Sequence, residues 1–472
     1  MAADAIVVGS GPNGLAAAIT LAKAGLSTVV REAQDTIGGG LRSAELTLPG
    51  FVHDVCSAVH PLAASSPFFR TLPLADFGLT WIHPSAPLAH PLDDGTAVLL
   101  ERSLEATAAG LPAGGGDWVR MHEPFVRRWD KLAPDVLGPP LRPPRRPFLM
   151  ARFALQGLRT ANALAHRLDG VRARALFAGN AAHSFLPFDW AGTGAFGLML
   201  GVMGHAAGWP IARGGSQRFA DALAAYFRSL GGVIETGAPV ERLDEVRSAR
   251  VVMLDLSPRQ VLQLAGDALP AGYRRTLTRY RYGSAAFKLD WALDGPLPWT
   301  APECARAATV HLSGSLEDTA ASEAEHPRGR LHDRPFVLLA QPTLFDDSRA
   351  PAGKHIVWAY CHVPNGYTGD ATDRIERQIE RFAPGFRERV LARSVLTPAD
   401  LERRNANLIG GDINGGMMHL SQVFVRPIAR PYPYRTPLRG VYLCSASTPP
   451  GGGVHGMCGH QAAQTALRDL GR

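Results

Sequence analysis

One glycine pattern in this sequence sits where it can do chemistry. The apolar run DAIVVGS, Asp4 to Ser10, leads into Gly9-Ser10-Gly11-Pro12-Asn13-Gly14. The Ala- and Leu-rich stretch LAAAITLAKAG follows and stops at Gly25. The run LSTVVRE then ends at Glu32, 18 residues beyond Gly14. Strand, glycine turn, helix and strand form the cradle that holds a dinucleotide diphosphate. Gly9 permits the tight turn, Gly11 lets backbone approach the pyrophosphate, and Gly14 lets the helix sit close on the strand. The helix N-terminus offers free N–H groups to phosphate. Glu32 can accept hydrogen bonds from a ribose and repels a 2′-phosphate, so FAD or NAD fits better than NADP.

The same spacing recurs twice. Gly192-Thr193-Gly194-Ala195-Phe196-Gly197 has no strand before it and reads as coincidence. Gly451-Gly452-Gly453-Val454-His455-Gly456 follows the strand-like GVYLCSAS, which includes Ser445, and precedes a helix. No strand follows that helix, so this turn is no independent nucleotide site. It reads instead as a second helix N-terminus facing a ligand held by the first unit. Gly452, Gly453 and Val454 would then lie beside that ligand, where the partial positive charge of a helix N-terminus favours negative charge. His455 has two readings, a catalytic base or donor at that ligand and a structural cap of the turn. The Gly38-Gly39-Gly40 cluster just after Glu32 keeps backbone near the diphosphate.

Composition narrows the field. The chain has 472 residues, 46% of them hydrophobic and 19% charged, enough apolar content for a large core rather than disorder. The net charge of +7 is carried mostly by Arg, but no nucleic-acid-binding pattern is present. Five scattered cysteines contain no C-x-x-C pair, which fits a reducing, cytoplasmic setting and no metal site. No metalloprotease, nucleophile-elbow or Walker motif occurs. Residues 190–212 lack formal charge, yet six glycines make them a buried, tightly packed helix rather than a membrane span. Phe185, Trp190 and Trp209 belong to an apolar stretch suited to walling a cavity for an apolar substrate. His60, the Gly-Gly turn at Gly215, and the weaker histidine candidates His53, His183 and His205 complete the site candidates. Residues 146–168, after the basic Pro-rich run PPLRPPRR, read as an amphipathic helix able to lie on an anionic membrane.

The run DAIVVGSGPNGLAAAITLAKAG…VVREAQDTIGG resembles the FAD-binding start of the phytoene desaturase-like flavoproteins, which share a two-dinucleotide fold with the amine oxidases. The segment WPIARGGS and the tail IGGDINGGMMHLSQVFVRP…GVYLCSASTPPGGGVHGMCGHQAAQTAL extend the resemblance along nearly the whole chain. It implies FAD as cofactor, with Val240 on the adenine side. The family pattern places Arg directly after the glycine pair. Gly40 stands there here, and Arg42 is the substitute candidate. After Val240 the usual hairpin is missing, and the chain passes almost directly to VVMLDLSP.

The resemblance implies an α/β fold: a Rossmann-like FAD domain interleaved with an α+β substrate domain. Residues 1–75, 205–260 and 405–472 would form the first, and 76–204 and 261–404 the second. It further implies desaturation of a polyene or isoprenoid-like molecule. A flavin-dependent isomerase or saturase, and a flavin-bound regulatory protein with little turnover, are the alternatives. An amine oxidase fits less well, because no aromatic pair around a Lys–water site is readable.

Overall fold

Short β-branched runs with apolar residues on both faces form strands buried on both sides, as a parallel sheet requires. The computed structural model, which describes residues 3–472, pairs four of them with a more exposed edge strand in one five-stranded sheet. Strands Ala5–Val8 (β1) and Thr28–Arg31 (β2) are central, flanked by Val251–Leu254 and Val441–Leu443 on one side and Val233–Glu235 on the other. Every pairing is parallel, with Ala5 opposite both Val251 and Thr28. This sheet therefore draws on residues from both ends and the middle of the chain.

Helix α1, Pro12–Lys23, starts with Pro at its first turn, where the missing N–H costs nothing. It ends before Gly25, whose φ of 80° suits glycine. Its Ala-rich face allows two helices, Gln217–Ser229 and the terminal Met457–Asp469, to pack closely against it. Between Glu235 and Val251 there is no strand, only a short helical turn at Leu243–Glu245, as the missing hairpin implies.

A second sheet has seven strands, ordered Val390–Leu396, Ala285–Leu293, His355–Val363, Val337–Ala340, Ala307–Leu312, Ala86–Pro91 and Ala97–Leu100. All of its pairings are antiparallel except that between Ala86–Pro91 and Ala307–Leu312. Alternation gives it two faces. Phe287, Leu289 and Trp291 pack with Ile375, Ile379 and Phe382 of the helix Thr372–Phe382. On the other face, Leu338, Trp358 and Tyr360 pack in one core with Phe177 and Leu198, from the helices Val171–Ala182 and Gly194–Ala206.

The uncharged 190–212 segment holds the buried helix Gly194–Ala206, 13 residues long. Among the described residues no helix is long and apolar enough to cross a membrane. Gly197 and Gly201 lie against Phe177 and His122, leaving no room for a Cβ. The expected helix over 146–168 is corrected to two, Pro147–Gly157 and Ala161–Ala165. Thr160 ends the continuity by capping the second, its Oγ1 accepting from the Ala163 N–H at 3.0 Å. Ala161, Leu164 and Ala165 are buried, while Phe148 is 91% and Leu155 72% exposed.

Candidate functional site

A cavity of about 670 Å³ runs from the glycine cradle of the parallel sheet to the inner face of the large sheet. Gly9, Gly11, Pro12, Asn13 and Glu32 line its polar end, joined by Gly39, Arg42 and Val240. Ser445 lies along it, as do Gly452, Gly453 and Val454 of the second glycine turn. The opposite end is apolar and includes Phe185, Phe196, Trp209, Leu338, Trp358 and Tyr360.

Glu32 is buried and fully engaged. Its Oε2 accepts from the Ser10 N–H at 2.9 Å and from Ser10 Oγ at 2.6 Å, and its Oε1 from the Gln34 N–H at 3.0 Å. The fourth contact is Arg42 Nη2 at 3.2 Å. Arg42 gives three further N–H groups to the carbonyls of Thr36 and Arg404. It thus neutralises Glu32 and still lines the cavity. Asn13 Oδ1 is buried without a partner, an acceptor left for a ligand or water at the mouth of α1. Ser445 Oγ donates to the Leu256 carbonyl at 2.8 Å and so ties the last strand to its neighbour.

Several candidates stand outside the lining. Gly14 gives its N–H to Asp255 Oδ2 at 2.9 Å. Gly38 bonds back to Ser10. Gly215 packs its bare Cα against Ser43 and Asp54. Asp54 is buried and paired with Arg349 at 2.9 Å. Trp190 meets His419 edge-on, 5.0 Å between ring centroids, away from the cavity. His60 lines the cavity, but its Nε2 is bonded to Ser216 Oγ at 2.9 Å. Burial lowers its pKa to about 4, so it is neutral. His205 receives the Trp118 indole N–H at 2.9 Å in the core.

His455 holds the turn. Its Nδ1 accepts from the Met457 N–H at 3.0 Å, and its Nε2 lies 3.2 Å from the Gly451 carbonyl. It is 1% exposed and does not line the cavity. Of its two readings, this geometry matches the structural cap, because both ring nitrogens are committed to backbone.

Other polar groups at the site have weaker sequence signals. Asp255 follows the apolar run VVML directly, an acid at a strand end, and lies under all three glycines of the cradle. Lys288 is one of only four lysines; it is buried, with Nζ bonded to Asp290 Oδ2 at 2.5 Å and standing 5.4 Å from the Trp358 ring. The other oxygen of Asp290 is 3.4 Å from His53 Nδ1. His183 lines the apolar end, with Nε2 3.0 Å from His311 Nε2. Behind it, Glu323 Oε2 bonds His362 Nδ1 at 2.7 Å and His326 Nε2 at 3.1 Å. Against the cost of burial, these two rings hold the Glu323 carboxyl down at about 2. Among the described residues Phe185 is the one non-glycine residue with positive φ, 55°, and its ring lies 3.7 Å from that of His362. Such strain concentrates at functional sites. These groups come from strands, helix ends and a helix far apart in sequence, and only the folded packing of helices on the sheet brings them together.

Residues 7–72 match the family of NAD(P)-binding Rossmann-like domains. The chain is 29% identical to the pyridine nucleotide-disulfide oxidoreductase domain-containing protein 2 of Mus musculus, over 99% of this chain and 94% of that protein. It is 28% identical to the phytoene dehydrogenase of Streptomyces griseus, over 86% and 80% of the two chains. The crystal structure of an oxidoreductase from Methanosarcina mazei superposes with a TM-score of 0.65 at 18% identity, covering 98% of this chain and 99% of that one. The α/β architecture is thus that of the family the sequence resembles. Along nearly its whole length the chain is similar to an oxidoreductase domain-containing protein and to a phytoene dehydrogenase.

Proposed function

We propose that the protein is an FAD-dependent oxidoreductase that desaturates C–C bonds of an apolar, polyene- or isoprenoid-like molecule. The observation that carries this reading is one continuous cavity with a dinucleotide cradle at one end and an aromatic, apolar wall at the other. The residues fit FAD. Gly9 and Gly11 leave backbone bare at the mouth of α1, Asn13 Oδ1 is an orphaned acceptor there, and Glu32 closes the polar end. The turn at Gly452, Gly453 and Val454 fits the flavin side.

When bound, the flavin supplies a hydride acceptor at N5. The chain's part is position and dryness. Phe185, Trp209, Trp358 and Tyr360 exclude water and orient an apolar chain. His183 stands among them. Burial brings its pKa down to about 3, so the ring is neutral and a weak base. Its Nε2 faces His311, and Nδ1 has no protein partner among the described residues. His183 therefore gives the apolar end one polar contact, and it is too weak a base to hold the proton that leaves the neighbouring carbon. Access for such a substrate fits the helix Pro147–Gly157, where exposed Phe148 and Leu155 sit beside exposed Arg145, Arg146 and Arg152, as on an anionic membrane surface.

The test is anaerobic mixing of the flavin-loaded protein with a panel of polyenes and isoprenoids. The reading expects the flavin absorbance to bleach and a desaturated product to form. A protein that binds no FAD, or whose flavin no apolar compound of the panel reduces, would overturn it.

A further inference from the structure

Asp255 is the first residue after the strand Val251–Leu254, and its carboxyl occupies the middle of the glycine cradle. A Cβ on Gly11 would lie 2.8 Å from its Oδ2, and one on Gly9 would lie 3.2 Å from its Cβ. The Gly14 N–H donates to Oδ2 at 2.9 Å, and Asn407 Nδ2 donates to its backbone carbonyl at 2.7 Å. The residue is 6% exposed and lines the polar end of the cavity.

Its charged surroundings are unusual for a carboxylate. Glu32, on the β2 side, adds a second negative charge. The cation nearby, Arg42, is already paired with Glu32. From the last strand and the terminal helix come the buried thiols Cys444 and Cys458, which burial keeps protonated. Among the described residues Asp255 makes no ion pair. Burial and then the proximity of Glu32, against the pull of the Gly14 N–H, push its carboxyl up to about 7. An ionised Asp255 would repel a diphosphate brought into the same cradle. A protonated one keeps an acceptor for Gly14 and gains an O–H to donate.

We propose that Asp255 binds the cofactor's diphosphate as a neutral carboxylic acid, donating its own hydrogen bond to a phosphate oxygen, so that loading the protein takes up one proton. This rests on the FAD reading above. The proton comes from solvent, and no bond other than the O–H is made or broken. Below the ionisation of the unloaded site the proton is already present and affinity is flat. Above it, each unit of pH costs about tenfold in affinity, because one proton must be taken up per cofactor.

The experiment strips FAD from the purified holoprotein and titrates FAD back between pH 5.5 and 9. Flavin fluorescence gives Kd, and calorimetry in buffers of different ionisation heat gives the protons exchanged. Wild type should take up close to one proton per FAD at pH 8 and almost none at pH 5.5. D255N cannot ionise and still offers an amide N–H. It should show no uptake, a flat profile, and affinity at pH 8 at or above that of wild type. A pH-independent wild-type Kd without proton uptake would overturn the proposal, and so would a D255N profile as steep as wild type's. The wild-type measurement decides the matter even if the variant folds poorly. Failure of FAD to bind at any pH would overturn the cofactor reading, and the proposal with it.

Discussion

The closest approach of two backbones around the cradle is at Gly459, in the terminal helix. A Cβ there would stand 1.8 Å from the Asn13 carbonyl oxygen, 2.7 Å from its carbon and 3.0 Å from the Ala17 nitrogen. All three are backbone atoms of α1 or its first turn, so no side chain can rotate away. To accept Gly459→Ala the two helices must part by about 1 Å, a gap that forfeits a quarter to a half of the local dispersion energy. Overpacking of this kind costs about 3 kcal/mol, and alanine's better helix propensity returns about 1. The net expectation is about 2 kcal/mol of lost stability. Because Asn13 is pushed from the cradle mouth, FAD affinity should also fall at least about tenfold, the equivalent of 1.4 kcal/mol. Urea unfolding with and without FAD reads both effects, as a lower midpoint at unchanged slope and a smaller stabilisation by cofactor. Gly272→Ala is the control, since that exposed helical glycine has no atom within 4 Å of its Cβ position. It should gain about 0.5–1 kcal/mol. A G459A protein as stable and as yellow as G272A would refute the packing argument.

Four further outcomes are expected. Arg349→Met should cost about 3–5 kcal/mol in urea unfolding, because it leaves Asp54 buried and unpaired, and Asp54→Asn should recover part of the loss. His455→Ala should lower the melting temperature and weaken FAD retention, yet change the reduction rate per bound flavin by less than about threefold, since only turn hydrogen bonds are lost. A drop of a hundredfold would return His455 to the chemistry. In the cofactor-free protein Asp255 ionises at about 7 when folded against 3.8 in the ordinary case, so its ionisation destabilises the fold. Stability tied to this group is full below pH 4, declines as pH rises toward 7 and levels off above. D255N should therefore gain about 4 kcal/mol at pH 8 and much less at pH 5. Finally, wild type should sediment with anionic lipid vesicles in a salt-sensitive way, and F148D/L155D should not. Equal sedimentation of the two proteins would remove the membrane contact.

What could be read from the residues follows the range of the interactions that produced each feature. The cradle was legible because its determinants are local: a strand, a turn and a helix contiguous from Ala5 to Lys23, with glycines at fixed offsets. The buried character of the Gly194–Ala206 helix was legible for the same reason, its glycines repeating at helical spacing. The break at Thr160 was not, because the apolar pattern of 146–168 continues across a cap whose signal is one hydroxyl. Arg42 illustrates a deeper limit. Its position suits a phosphate clamp, yet nothing local shows that Glu32, which follows β2 into the same space, pairs with it.

The site's polar interior lies beyond local reading altogether. His183, His311, Glu323 and His362 span 180 positions of sequence, and each alone is an ordinary core residue. The antiparallel register that sets Cys361 opposite both Val337 and Phe287 also fixes the alternating inward side of the sheet. It puts Tyr360 and His362 on the face that Phe185 covers. Asp255 lies between these extremes. An acid ending an apolar strand is visible in the sequence. Its meaning depends on the three glycines 241 to 246 residues earlier, whose missing side chains are what admit it. Those glycines admit the carboxyl on one side and, in the proposed reading, face a phosphate on the other. A protein gains nothing in stability from burying that carboxyl without a cation, so its place in the cradle argues for a role in what the cradle binds.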